Sequence, residues 1–174
     1  MERQVFDAIR NRRSIREFTD QPVTRDLLQQ IITAGIWAPS GLNNQPWRFV
    51  IIRDHEIKSK LALLTHYAHI VHGSPALIAV YLDQKKMYDS VKDHQAAGAC
   101  IQNMLLTAHE LGLGAVWLGQ ILKNKNRVND VLQLSNQYDL MAILAFGYPK
   151  HRNQQSRRQP LTDFILHEFG GDTL

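Results

Sequence analysis

Leu140-Met141-Ala142-Ile143-Leu144-Ala145-Phe146-Gly147-Tyr148-Pro149 is the stretch around which the chain organises itself. The apolar run has no polar interruption, so it reads as a strand buried on both faces, and Gly147-Tyr148-Pro149 ends it. It is far shorter than the roughly 18 residues of a membrane span, as is Ala76–Leu82. Three shorter β-rich runs flank it in sequence. They are Arg48–Arg53, Ala76–Leu82 behind Pro75, and Ala115–Leu118. Between them the apolar period changes to that of helices. Asp89–Leu111 carries Ala97, Ile101, Met104, Leu105, Ala108 and Leu111 at helical spacing, with Gly112 as its cap. Thr24 reads as the N-cap of an amphipathic helix over Arg25–Trp37, which buries Leu27, Leu28, Ile31, Ile32 and Ala34. Further helices are expected over Glu2–Asn11 (with Val5, Phe6 and Ile9 on one side), His55–Leu64, Arg127–Leu134 and Thr162–Phe169. The expected fold is an α+β or α/β sandwich, α+β being preferred: a sheet of about four to five strands covered by helices, in one domain over residues 1–174.

At 174 residues the chain can bury a full core without staples. Its single cysteine, Cys100, lies in the apolar run AAGACIQNMLL and reads as a buried thiol. The N-terminus MERQVFDAIRNRR lacks the apolar core of a secretory signal, so a cytoplasmic, non-membrane protein is expected. Lys and Arg number 20 against 16 Asp and Glu, a net charge of +4. The excess is localised. Arg10, Arg12, Arg13 and Arg16 fill one acid-free window; Lys150, Arg152, Arg157 and Arg158 fill another. Take these eight away and 12 basic residues face 16 acidic ones, so the rest of the chain is mildly acidic. Two compact clusters suit a compact anionic ligand better than a nucleic acid, which more often meets a stripe.

Four segments could carry chemistry. Arg12-Arg13-Ser14-Ile15-Arg16 offers forked donors for phosphate oxygens, or is a solvated basic face. Ala38-Pro39-Ser40-Gly41-Leu42-Asn43-Asn44-Gln45-Pro46-Trp47 is a proline-stiffened loop of amides. It could read the edge of a heterocycle, or simply make Asx turns. Gly112–Gly119 is either a glycine-rich approach to Trp117-Leu118-Gly119 or a helix cap followed by a strand. The basic tail Lys150–Arg158 means little alone. Neither the G-x-x-x-x-G-K-[ST] nor the G-x-G-x-x-G phosphate loop is present. His66, His69 and His72 share a broad helical face, but no carboxylate accompanies them and Gly73-Ser74-Pro75 ends the helix, so no metal site is expected.

Taken in order, Arg-Arg-Ser-x-Arg, Ala-Pro-Ser-Gly-x-x-Asn-Gln-Pro-Trp, Gly-Leu-Gly-x-x-Trp-x-Gly, a strand ending in Gly-Tyr-Pro, and Arg-x-Pro-Leu resemble the FMN-dependent nitroreductase family. The resemblance spans Ile9 to about Leu161. It implies an α-β-α sandwich and an intertwined homodimer with FMN at the interface. It implies that Arg12, Arg13, Ser14 and Arg16 contact FMN from one subunit and Pro39, Ser40, Gly41 and Asn43 from the other, with Gln45 from either. Trp117, Leu118 and Gly119 would lie beside the reactive flavin edge, with Arg158 and Arg157 at the phosphate. The family often has Lys-x-Arg there, where this chain has Ser156 two before Arg158. The flavin, not a catalytic side chain, would carry hydride from NADH or NADPH to a nitroaromatic or quinone-type small-molecule acceptor by a ping-pong route. Rival readings are a same-fold flavoenzyme for dehalogenation, flavin destruction or enoyl reduction, and a non-enzymatic basic module that binds nucleic acid.

Overall fold

The computed structural model describes residues 4–170. Its core is a four-stranded antiparallel sheet in the order β1-β2-β4-β3. The strands are β1 (Trp47–Ile52), β2 (Ala76–Asp83), β3 (Gly114–Leu118) and β4 (Tyr138–Gly147). The run 140–146 is β4, an inner strand, and β2 beside it is buried along its whole length. All pairings are antiparallel, which makes the class α+β.

Among the described residues, six α-helices surround the sheet. They are α1 (Gln4–Asn11), α2 (Arg25–Ile36), α3 (His55–Ala62), α4 (Ala68–Gly73), α5 (Ser90–Glu110) and α6 (Lys125–Val131). On one face α2 and α5 bury Leu28, Ile31, Cys100, Ile101 and Met104 against Ile78, Val80, Leu144 and Phe146. On the other, α3, α4 and α6 bury Leu61, Ile70 and Val128 against Leu77, Ala79 and Ile143. The result is an α-β-α sandwich. Among the described residues no helix is long and apolar enough to cross a membrane.

The caps follow the sequence. Thr24 Oγ1 accepts from the Leu27 N–H, and Asp89 Oδ1 accepts from the Lys92 N–H at the start of α5. Gly112 takes φ +75° just beyond α5, the left-handed turn that glycine allows most cheaply.

Two expectations, for the last helix and for the three histidines, need correction. The helix expected over Thr162–Phe169 is a single 3-10 turn, Leu161–Asp163. Its apolar residues Leu161, Phe164, Ile165, Leu166 and Phe169 are exposed, and a short helix without a surface to pack on gains too little to form. The apolar side of α1 is likewise not covered by its own chain: Val5, Phe6 and Ile9 are exposed, and only Ala8 is buried. Of the three histidines, only His69 and His72 lie on α4, and all three are exposed. Residues 2 and 3 of the first expected helix lie outside the described residues.

Close approach fixes the outer edge of the sheet. Ser14 bridges Ala115, and the Ile15 N–H donates to the Ala115 carbonyl at 3.0 Å. A Cβ at Gly114 would lie 2.7 Å from Ile15 Cβ and Cγ2. Gly114→Ala should therefore destabilise the protein by about 1–3 kcal/mol. A drop in thermal midpoint of roughly 2–10 °C should follow, and Ile15→Ala in the same chain should recover part of it.

Candidate functional site

Two backbone links bring the basic windows together. The Thr19 N–H donates to the Tyr148 carbonyl at 2.8 Å, and the Lys150 N–H donates to the Glu17 carbonyl at 3.1 Å. The segment after α1 and the arm after β4 thus leave the sheet side by side. Between them lies a cleft of about 430 Å³, walled by Arg12, Arg13, Ser14 and Arg16 on one side. Gln154, Gln155, Ser156 and Arg158 form the other wall. Arg158 bonds the Ser156 hydroxyl. Arg157 lines no part of this cleft; its carbonyl accepts from Arg158 at 3.1 Å.

The electrostatics are one-sided. Among the described residues none of these arginines forms a salt bridge. The Arg12 guanidinium is pushed below its ordinary value by partial burial, then by Arg13 and Arg158. The Nε atoms of Arg12 and Arg13 are buried without a hydrogen-bond partner. Buried donors normally find partners, so such a cluster is an anion site by its chemistry.

Trp117, Leu118 and Gly119 continue along the same strand. From Ala115 to Gly119 the extended backbone covers about 13 Å. Trp117 is half-exposed, Leu118 is buried in the core, and Gly119 is exposed at the start of a 3-10 turn, Gln120–Asn124. Gln120 Oε1 accepts from the Thr65 hydroxyl at 2.8 Å and the His66 N–H at 3.0 Å. This clamp holds the loop before α4 against the end of β3. It was not legible beforehand, because its partners lie 55 residues apart.

The amide loop sits elsewhere. Pro39, Ser40, Gly41, Asn43 and Gln45 precede β1, the opposite edge strand from β3, so one chain does not bring them to the basic cleft. The loop is held in an unusual shape. Leu42, Asn43 and Gln45 have φ of 53°, 53° and 47°. Such left-handed non-glycine residues cluster where function needs them. The Ser40 hydroxyl accepts from the Gln45 N–H at 3.2 Å, and Gln45 Nε2 donates to the Asn43 carbonyl at 3.1 Å. Gly41 is required, since a Cβ there would strike the Tyr88 ring.

Asp93 is the residue that sequence reading missed. It is fully buried in the first turn of α5. One carboxylate oxygen accepts from Asn44 Nδ2 at 2.7 Å, and the other accepts from the Tyr88 and Asp89 N–H groups at 2.9 and 3.0 Å. Burial alone would raise its pKa. The hydrogen bonds from Asn44, Asp89 and Tyr88, with nearby His94, outweigh burial and leave it below the ordinary carboxylate value.

The model of the nitroreductase family matches residues 9–66 and 62–148. The chain belongs to the nitroreductase family. Over 148 residues it is 32% identical to a Methanothermobacter thermautotrophicus protein named for NADH dehydrogenase/NAD(P)H nitroreductase activity, covering 83% of this chain and 77% of that one. It is 49% identical, with a TM-score of 0.92, to a Desulfovibrio desulfuricans protein assigned as a nitroreductase and solved in complex with FMN; the match covers 97% and 98% of the two chains. The NADPH:FMN oxidoreductase of Vibrio harveyi, solved with NAD+, superposes with a TM-score of 0.87 at 25% identity, covering 98% of this chain and 79% of that one. In this nitroreductase-family chain the basic cleft lies beside β3, and the amide loop precedes β1 at the opposite edge of the sheet.

Asp93 supplies a test of how the loop is held. A carboxyl with a lowered folded-state pKa stabilises above its unfolded pKa and loses that contribution as pH falls through the folded one. Asp93→Asn should thus destabilise by about 1–3 kcal/mol at neutral pH. It should also flatten the fall in denaturant midpoint on acidification below about pH 4.

Proposed function

We propose that this protein is an FMN-dependent NAD(P)H oxidoreductase that works as a homodimer. The observation that carries the reading is the acid-free cleft in which arginines from both ends of the chain converge. The fit to FMN is chemical. A phosphate dianion would satisfy the partnerless Arg12 and Arg13 donors and offset the repulsion among Arg12, Arg13 and Arg158. Arg12, Arg13, Ser14 and Arg158 hold the phosphate on this reading, with Arg157 an outer contributor to the local charge.

When bound, FMN supplies the hydride chemistry, taking two electrons from NADH or NADPH and passing them on to a nitroaromatic or quinone-type acceptor in a ping-pong cycle. The chain's own part is binding and electrostatics. The Arg16 guanidinium favours negative charge near the pyrimidine end of the ring. Trp117, half-exposed, gives the ring an apolar support, Leu118 anchors this segment in the core, and the Gly119 N–H is a donor at the reactive edge. The left-handed amide loop, with Pro39, Ser40, Gly41, Asn43 and Gln45, approaches from the second subunit, because its own chain keeps it at the far edge of the sheet. No side chain of this set is asked to act as a general acid or base.

Exposed apolar surface supports the dimer reading as well. A groove of about 530 Å³ is lined by Val5, Ala34, Trp37, Leu106 and Leu111, with Trp37 82% exposed. The arm beyond β4 carries five exposed large apolar residues. Apolar surface on this scale marks an interface, and each copy offers both an arm and a groove.

Three measurements test the reading. The purified protein should be yellow and should bleach with NADH or NADPH in the absence of air; a protein that takes up no FMN would sink it. Arg16→Ala should weaken FMN binding by about 10- to 100-fold and lower the flavin potential, as read by dye-coupled titration. Truncation after Arg158 should convert the dimer to monomer in sedimentation and weaken flavin binding with it. A truncated protein that stays dimeric would remove the arm from the interface.

A further inference from the structure

Arg152 has no part in the flavin site described above. It reaches from the arm to the end of α5, where its Nη2 donates to the Gly112 carbonyl at 2.7 Å. There it closes a second cavity, of about 280 Å³, behind Arg12 and Arg13. Its polar wall comprises Asn11, Arg12, Arg13, His109, Arg152 and Gln154, and its floor is apolar. No carboxylate lines it. His109 is half-buried, and its pKa is lowered by burial, then by Arg152, with Glu110 opposing and Arg12 and Arg13 adding smaller pushes. The Oε1 of Gln154 is buried without a partner.

We infer that this cavity is a second anion site, for a phosphate monoester, adjoining the cleft that takes the flavin phosphate; the two share Arg12, Arg13 and Gln154, while His109 and Arg152 line only this one. The inference rests on the proposed flavin reading only in assigning that first cleft. Three guanidinium groups and an imidazole around a partly dry cavity with no acid are complementary to a small dianion. The apolar floor of Leu105, Leu113 and Ala115 limits water access and strengthens the interaction. Two sources share this chemistry: the 2′-phosphate of NADPH, and free inorganic phosphate.

The test uses the FMN-loaded protein in a phosphate-free buffer and follows the His109 ring protons by NMR across pH. Inorganic phosphate should raise the His109 midpoint by about one pH unit or more, since a nearby anion favours the imidazolium. NADP+ raising it while NAD+ does not identifies the dinucleotide phosphate as the source. A response to phosphate with neither dinucleotide acting identifies free phosphate. Arg152→Met should abolish the shift while the protein stays yellow, which separates this site from the flavin clamp. A yellow protein with an unmoved His109 midpoint overturns the inference and leaves the flavin reading intact. A shift that tracks loss of bound FMN, or an equal response to NAD+ and NADP+, overturns it too. A colourless protein that takes up no FMN defeats the flavin reading instead.

Discussion

Like charges have to be held together before an anion can exploit them. Arg12, Arg13 and Arg158 would separate in a flexible chain, because each pair repels and no acid intervenes. The fold holds them through uncharged backbone links: Ile15 to Ala115, Thr19 to Tyr148, and Lys150 to Glu17. These bonds do not weaken with salt as surface ion pairs do. Their energy comes from the sheet and its core. A bound phosphate then reverses the sign of the local term, and ligand occupancy becomes a stabiliser of the whole fold.

The amide loop follows a related logic with strain in place of charge. A left-handed conformation costs a non-glycine residue about 1–2 kcal/mol, and this loop holds Leu42, Asn43 and Gln45 there. It persists because Asn44 is tied to the buried Asp93 and because Gly41 lies under Tyr88. Asp93 in turn is fixed by α5, the longest helix and a main support of one sheet face. The loop's shape is therefore set by the core and does not await a ligand. Leu42 remains 85% exposed.

Periodicity and capping made most of the elements legible. All four strands, Thr24 and α2, and the long α5 follow from local pattern, because their burial is decided within one chain. The motif residues at Arg12–Arg16 and Trp117–Gly119 were legible as chemistry, but their shared placement beside β3 was not. Two kinds of feature escaped. Asp93 and Gln120 act through partners 49 and 55 residues away, and nothing local distinguishes them from ordinary helix-start and surface residues. The expected helix over Thr162–Phe169 failed for the converse reason. Its apolar spacing is genuine, but Leu161, Phe164, Ile165, Leu166 and Phe169 stay exposed, so no packing rewards it among the described residues.

That failure and the divided site have one origin. The sheet has two edges, β1 and β3, with two strands between them. At about 4.8 Å per strand, groups at the two edges are separated by roughly 14 Å. A chain that places its amides at one edge and its arginines at the other cannot surround one flat ligand with both. In the proposed dimer, pairing of two copies would solve this, since the edge of one can face the opposite edge of the other. The same pairing would cover Val5, Phe6, Ile9 and the arm beyond β4, which are exposed in the single chain. On that proposal, completing the site and completing the hydrophobic burial are one event. Cofactor affinity in such a protein should depend on protein concentration wherever the dimer dissociates.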